Sequence, residues 1–291
     1  MKLLGAVLAL LLLQDPVFKL AVNVDLVELH VSVVDEKDRT VGGLKQEHFK
    51  VLENRVEQPI IVFKHEDIPV SLGLVIDNSR SIEPRKARLD AAALAFVRKS
   101  NPDDETFIVH FDFDARLAQA FTGDEKALEQ VLGSVKPFGQ TALYDALILA
   151  IDQMDNARYT RKAILLITDG LDNASTHTLA DALERAKRAR VTVYPIGLLS
   201  DMDGDRAATE LLKIAEAGGG TAYFPKDVDQ AKTMMERIAR DLREQYTLGY
   251  LPSSGRDGTW RSVRVEITPP VGFPQKLNAN YRHGYYGPDP R

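Results

Sequence analysis

Three oxygen-bearing side chains at alternate positions close the stretch "LVIDNSRSIEP", Leu74–Pro84: Asp77, Ser79 and Ser81. Alternate residues of an extended chain point the same way, and a strand that curls into a loop can turn that spacing into convergence on one point. One carboxylate and two hydroxyls at one point make a ligand set for a hard, oxygen-seeking cation such as Mg²⁺. The same residue types also serve as ordinary turn and cap residues, and Ser81 followed by Ile82, Glu83 and Pro84 could simply open a helix. The two readings differ in whether further oxygens arrive from elsewhere in the chain.

Composition narrows the chemistry. The 291 residues are 44% hydrophobic and 27% charged, an ordinary globular balance for about two domains. A net charge of −5 gives no basic field for phosphate backbones, and the most cationic stretch, "ERAKRARV" at 184–191, mixes in an acid as a solvated helix face does. No nucleic-acid partner is expected. With no cysteine there is no disulfide framework, thiolate metal site or cysteine nucleophile. The opening "MKLLGAVLALLLLQDP" places one lysine before the apolar run Leu3–Leu13 and polar residues after it, the pattern of a secretory signal. The run is too short to span a bilayer. Residues 1–15 are therefore expected to be a signal peptide, and the chain secreted or periplasmic, with no membrane span in the mature protein.

Three changes of pattern follow. Segments such as "VELHVSVVD" and "QPIIVFKH" make residues 16–68 β-rich, around the turn "DEKDRTVGG". Between 69 and 243, the apolar runs "VSLGLVI", "TFIVHF", "KAILLIT" and "VTVYPIGLL" read as strands buried on both faces. Helical periodicity separates them, as in Leu143, Ala146, Leu147, Ala150, Ile151 and Met154, or Val228, Ala231, Met235, Ile238 and Leu242. This alternation predicts a doubly wound, mostly parallel α/β sheet. Residues 244–291 return to β patterning in "QYTLGYL", "WRSVRVEIT" and "KLNANYRHGYY". Each β-rich flank is near the lower size limit for independent stability, so the two are expected to form one discontinuous, sandwich-like domain around the α/β unit.

Ligands of open parallel sheets bind beyond the carboxyl ends of the strands, where strand order reverses. "LLITDGLDN" puts Asp169 at another strand end, and "FGQTALYDAL" puts Thr141 in a glycine-containing loop where a helix begins. With these two, the order Asp-x-Ser-x-Ser, Thr, Asp resembles the metal-ion-dependent adhesion site of the von Willebrand factor type A domain, intact here as Asp77, Ser79, Ser81, Thr141 and Asp169. The resemblance extends over residues 69–243. The β-rich leader, "YTLGYLP" and the closing "GYYG" also resemble a bacterial exported subset of that family.

The resemblance implies that the two serines ligate Mg²⁺ directly, while the threonine and the aspartates alternate between direct and water-mediated contact. Mn²⁺ or Ca²⁺ could replace Mg²⁺. Neutral hydroxyl ligands leave the ion much of its charge, and an Asp or Glu from a protein partner would complete its coordination. The function so implied is divalent-metal-dependent protein binding or adhesion, not catalysis; a metal-dependent hydrolase and a purely structural module are the alternatives. No G-x-x-x-x-G-K-[ST] or G-x-S-x-G occurs, and nothing near the site offers a general base or a second metal. Other acids read more plainly. Asp201, Asp203 and Asp205 alternate like a calcium loop, but Arg206 and Leu212 stand where Gly and Glu are needed. Asp112 and Asp114 read as turn residues, Asp172 and Asn173 as caps for the next helix or as contributors to partner specificity, and His110 as a satisfied core histidine.

Overall fold

The computed structural model describes residues 26–99, 101–199, 204–274 and 276–290. The signal-peptide expectation for 1–15, and Asp201 and Asp203, lie outside them.

Five strands form the central sheet: β5 (Ser71–Asp77), β6 (Glu105–Phe111), β7 (Ala115–Thr122), β8 (Lys162–Thr168) and β9 (Thr192–Gly197), in the order β7-β6-β5-β8-β9. β6, β5, β8 and β9 run parallel, and β7 is an antiparallel edge strand. The sequence reading missed β7. Its run "ARLAQAFT" is only half buried and lacks the continuous apolar character of the inner strands, whereas every residue of β5 is buried. Leu72, Leu74 and Ile76 of β5 point to one face, covered by α1 (Lys86–Lys99), α2 (Glu125–Leu132) and α6 (Val228–Arg243). Val75 points to the other, covered by α3 (Leu143–Gln153), α4 (Leu179–Arg188) and α5 (Gly204–Gly218). The glycines at 218–220 lead the chain back to the sheet only as a single bridge between Tyr223 and Ile196.

The flanks form two four-stranded antiparallel sheets. One has the order β12-β1-β10-β4 and the other β13-β11-β2-β3, where β1 is Val27–Asp35, β2 Phe49–Glu53, β3 Val56–Gln58, β4 Val62–His65, β10 Tyr246–Tyr250, β11 Trp260–Ile267, β12 Leu277–Asn280 and β13 Gly284–Tyr286. Each sheet mixes strands from before and after the α/β unit: Leu248 of β10 lies between Leu29 and Phe63, and Val265 of β11 faces Val51. Their inner faces share one core of Val31, Val51, Tyr246, Leu248, Tyr250 and Val263. Neither flank could bury these side chains alone.

Arginines fasten the two units together. Arg161, fully buried at the start of β8, donates to the carbonyls of Leu242 (2.9 Å) and Gln245 (3.4 Å), where α6 hands the chain to β10. Gln245 in turn donates to Ser32 Oγ at 3.2 Å and Tyr194 OH at 3.4 Å. Arg282 reaches across to the carbonyls of Lys187 and Ala189, where the last turn of α4 has no internal donors left. Replacing Arg161 with Leu leaves two buried carbonyls unpaired, so urea denaturation is expected to show a loss of about 2–4 kcal/mol. A loss under about 1 kcal/mol would mean the guanidinium is not what holds this junction.

Candidate metal centre

Parallel pairing of β5 with β8, in the register Ile76↔Ile167, brings Asp77 beside Thr168 at the carboxyl ends of two strands on either side of the reversal of strand order. Asp77 is buried. Its Oδ1 accepts the Ser79 N–H and its Oδ2 accepts the Thr168 hydroxyl, both at 2.7 Å. Ser79, and not Ser81 as the cap reading expects, opens a single 3-10 turn, Arg80–Ile82, and its hydroxyl caps no backbone group. It lies 3.1 Å from the Ser81 hydroxyl, which donates to Asp169 Oδ1 at 2.7 Å. Four of the five expected oxygen donors are thus linked in one chain of contacts: Asp77, Ser79, Ser81 and Asp169.

Thr141 joins by its backbone. Its N–H donates to Asn173 Oδ1 at 2.8 Å and its carbonyl accepts the Asn173 N–H at 3.0 Å, which leaves the threonine hydroxyl outside the hydrogen-bond network of the described residues. The preceding loop is tied to the serine loop by Phe138 N–H to Asn78 O at 2.8 Å and by Arg80 N–H to Gly139 O at 3.4 Å. Gly139 has φ +78, a left-handed conformation that favours glycine. The helix that follows, α3, starts at a residue without a capping side chain, Ala142. Its exposed N–H groups are met from the loop after β8: Asp172 Oδ2 accepts from Tyr144 at 3.1 Å and Ser175 Oγ from Asp145 at 3.0 Å. The expectation that Asp172 and Asn173 cap the next helix is therefore corrected; Asp172 caps α3, Asn173 holds Thr141, and α4 is capped by Thr178.

Burial dominates the electrostatics. It pushes the Asp77 carboxyl up to about 6, with Asp169 adding to the shift, and it raises Asp169 as well. Arg85, its guanidinium 3.2 Å from Asp169 Oδ2, is the one cation paired with either carboxylate among the described residues. Among those residues no three His, Cys, Asp or Glu side chains form a metal cluster. The donor set nevertheless fits a hard divalent cation: two buried carboxylates, both disfavoured as bare anions, beside hydroxyls that can present lone pairs. Thr168 and Arg85 were missed from sequence, and for Asn173 the role of tethering Thr141 was missed. Thr168 had a signal, as the lone polar residue ending the apolar run "KAILLIT"; the other two had none, because their roles depend on loop packing.

The remaining candidates separate from this site. Asp112 and Asp114 are both bound by Arg116, at 2.6 and 2.9 Å, in the turn between β6 and β7. Asp205 lies in the first turn of α5. His110 is buried as expected but not satisfied: neither ring nitrogen has a hydrogen-bond partner.

An open α/β sheet with an acid-and-hydroxyl crevice at its switch point defines the class. Residues 72–171 match the family model of the von Willebrand factor type A domain, a span that contains all five expected ligands. The α/β unit therefore has the fold of a von Willebrand factor type A domain, and it is carried on β-rich flanking sheets. A von Willebrand factor type A protein from Catenulispora acidiphila superposes at TM-score 0.53 with 15% identity, covering 90% of this chain and 75% of that one. The vWF domain of the type V pili tip protein Mfa5 from Porphyromonas gingivalis gives TM-score 0.50 and 16% identity over 60% of this chain and 95% of that one. The PilB minor pilin from Streptococcus sanguinis gives 0.52 and 14% over 64% of this chain; the match spans 63% of the pilin. At these identities the likeness is one of fold. No curated protein sequence matches the chain.

Burial holds the His110 ring down to about 3, against 6.5 for a free histidine, so the unfolded chain binds its proton more readily. The stability of the neutral ring is complete above pH 6.5 and is lost as pH falls from there towards 3. Replacement by Leu also removes a buried polar ring without partners. His110→Leu is expected to be about 1–3 kcal/mol more stable than the parent at pH 5 and to flatten the acid limb of a stability–pH profile. An unchanged profile would mean the ring is solvated.

Proposed function

We propose that the chain is a divalent-metal-dependent protein-binding module of an exported protein, holding Mg²⁺, Mn²⁺ or Ca²⁺ through Asp77, Ser79, Ser81, Thr141 and Asp169 and engaging a partner's Asp or Glu. The observation that carries this reading is the unbroken contact chain from Asp77 through Ser79 and Ser81 to Asp169, made by residues 92 positions apart in the sequence (169 − 77). A bound cation would supply a positively charged centre open to one further oxygen ligand. The chain's own residues do the rest. Thr168 and the Ser79 N–H fix the Asp77 carboxylate, Asn173 holds Thr141 at the mouth of the crevice, and Arg85 balances part of the charge on Asp169.

Binding is favoured over catalysis because, among the described residues, no hydroxyl of the crevice is paired with a histidine base. Pilus-associated proteins of the same fold, PilB and Mfa5, support an adhesive role. The apolar N-terminal run supports export, and no helix among the described residues is long and apolar enough to cross a membrane.

Ligation that occurs only in the folded state stabilises it, by about 2.7 kcal/mol at a hundredfold excess over Kd. Mg²⁺ is expected to raise the melting temperature reversibly, with EDTA returning it. Asp77→Asn should abolish the response while leaving the metal-free protein at least as stable, since a buried charge is removed. Thr141→Ala should weaken partner binding more than metal affinity. A metal-insensitive melting temperature in the parent protein would refute the proposed site.

A further inference from the structure

Two phenylalanines stand in water beside the crevice. Phe113, in the turn between β6 and β7, is 53% exposed, and Phe138, three residues before Thr141, is 66% exposed. Their rings meet edge to face, with centroids 6.3 Å apart and planes at 89°. Burying such a pair elsewhere would be favourable, so its exposure on a soluble face needs a reason.

The pair is held on a rigid rim. Phe138 N–H donates to Asn78 O, between the expected ligands Asp77 and Ser79. On the other side, Ala142 N–H donates to the carbonyl of Asp112 at 2.7 Å, which anchors the residue preceding Phe113 to the one following Thr141. Arg116 clamps both aspartates that flank Phe113. Gly139 lies under the Phe113 ring, where an added Cβ would come within 3.3 Å of Cδ1. The backbone under both aromatic rings is thereby tied to the loops that carry the oxygen set, and the rings rest against each other.

The serine loop that the Phe138 segment contacts is cationic. Arg80, between the two serines, is exposed and has no ion-pair partner among the described residues, and the half-exposed Arg85 leans on Asp169; Glu83 is the one acid of that turn. Basic groups and an aromatic pair on adjoining loops complement an acid with an apolar neighbour.

We infer that Phe113 and Phe138 form an apolar subsite next to the candidate metal centre, and that the partner is a protein segment carrying an Asp or Glu with an aromatic or branched aliphatic residue one or two positions away. This rests on the proposed function, because the acid is placed at the crevice by that reading. The Phe pair supplies selectivity among acidic segments, which a metal ion reading only a carboxylate cannot.

The test uses the full chain in Mg²⁺ against an array of nine-residue synthetic peptides with a central Asp or Glu. Positions one and two residues away carry Leu or Phe in one set and Ser in the other. The parent is expected to retain the apolar set at least tenfold more tightly than the serine set. The double variant Phe113→Ser, Phe138→Ser should lose that preference, keep its melting temperature, and still bind both sets in a Mg²⁺-dependent way. Mg²⁺-dependent binding with no preference between the sets, or with a preference the double variant keeps, overturns the subsite while the metal-centre reading survives. Absent binding, or binding that EDTA does not alter, overturns both. A parent that self-associates in light scattering through these two residues, with no peptide preference, makes the occupant a second copy of the chain and overturns the proposal.

Discussion

The burial of one carboxylate organises the functional end of this molecule. Asp77 sits where β5 stops, out of water, and both its oxygens are committed: one to the Ser79 N–H, the other to the Thr168 hydroxyl. The first bond curls the chain so that Ser79 and Ser81 turn towards each other, and the second ties that curl to the end of the neighbouring strand. The second would not exist if β8 were paired elsewhere in the sheet. The strand order that places β8 beside β5 is thus a condition of the site, and the apolar packing on both sheet faces secures that order. A buried anion raised by its surroundings is a poor resting state, which makes a cation the natural companion of this arrangement.

The four parallel strands were legible because residues buried on both faces must be apolar without interruption, and "SLGLVI" or "KAILLIT" admits few other readings. β7 was not legible, since an edge strand with one solvated face shows neither a continuous run nor a clean alternation. Asp77, Ser79, Ser81 and Asp169 could be placed at strand ends from spacing, because strand ends and a two-residue period determine their positions. Thr141 was placed by its glycine-containing loop at a helix start, but that Asn173 tethers it could not be read: which side chain meets a loop from elsewhere in the chain is set by packing, not by any local period. The same holds for Asp172, whose sequence neighbours suggest a cap for one helix while the fold delivers it to another.

His110 shows the limit of compositional reasoning from the other direction. A histidine in an apolar strand is ordinarily paired, yet this ring is buried with both nitrogens bare, close enough to Lys86 and Arg116 for their charges to disfavour protonation further. Two residues on along the same strand and turn, Asp112 helps fix the aromatic rim, so an unsatisfied group and a functional surface share one short segment. Local imperfections of this kind concentrate near sites where geometry is constrained by something other than stability.

The antiparallel register that sets Tyr246 opposite His65 has a mechanical meaning. The α/β unit leaves the sandwich after β4 and returns to it at β10, so its two connections emerge side by side from adjacent strands. Tension applied between the ends of the described chain passes through the ladders of the sandwich, and the inserted unit carries none of it while β4 and β10 stay paired. Tension applied at the crevice takes another path: it reaches the sandwich through those two connections and through side-chain contacts between the units, such as those of Arg161, of Arg282, of Thr40 with Asp241 and of Tyr286 with Glu184. A tether gripping this face would therefore load the junction between the two units first and leave the oxygen cluster to deform last.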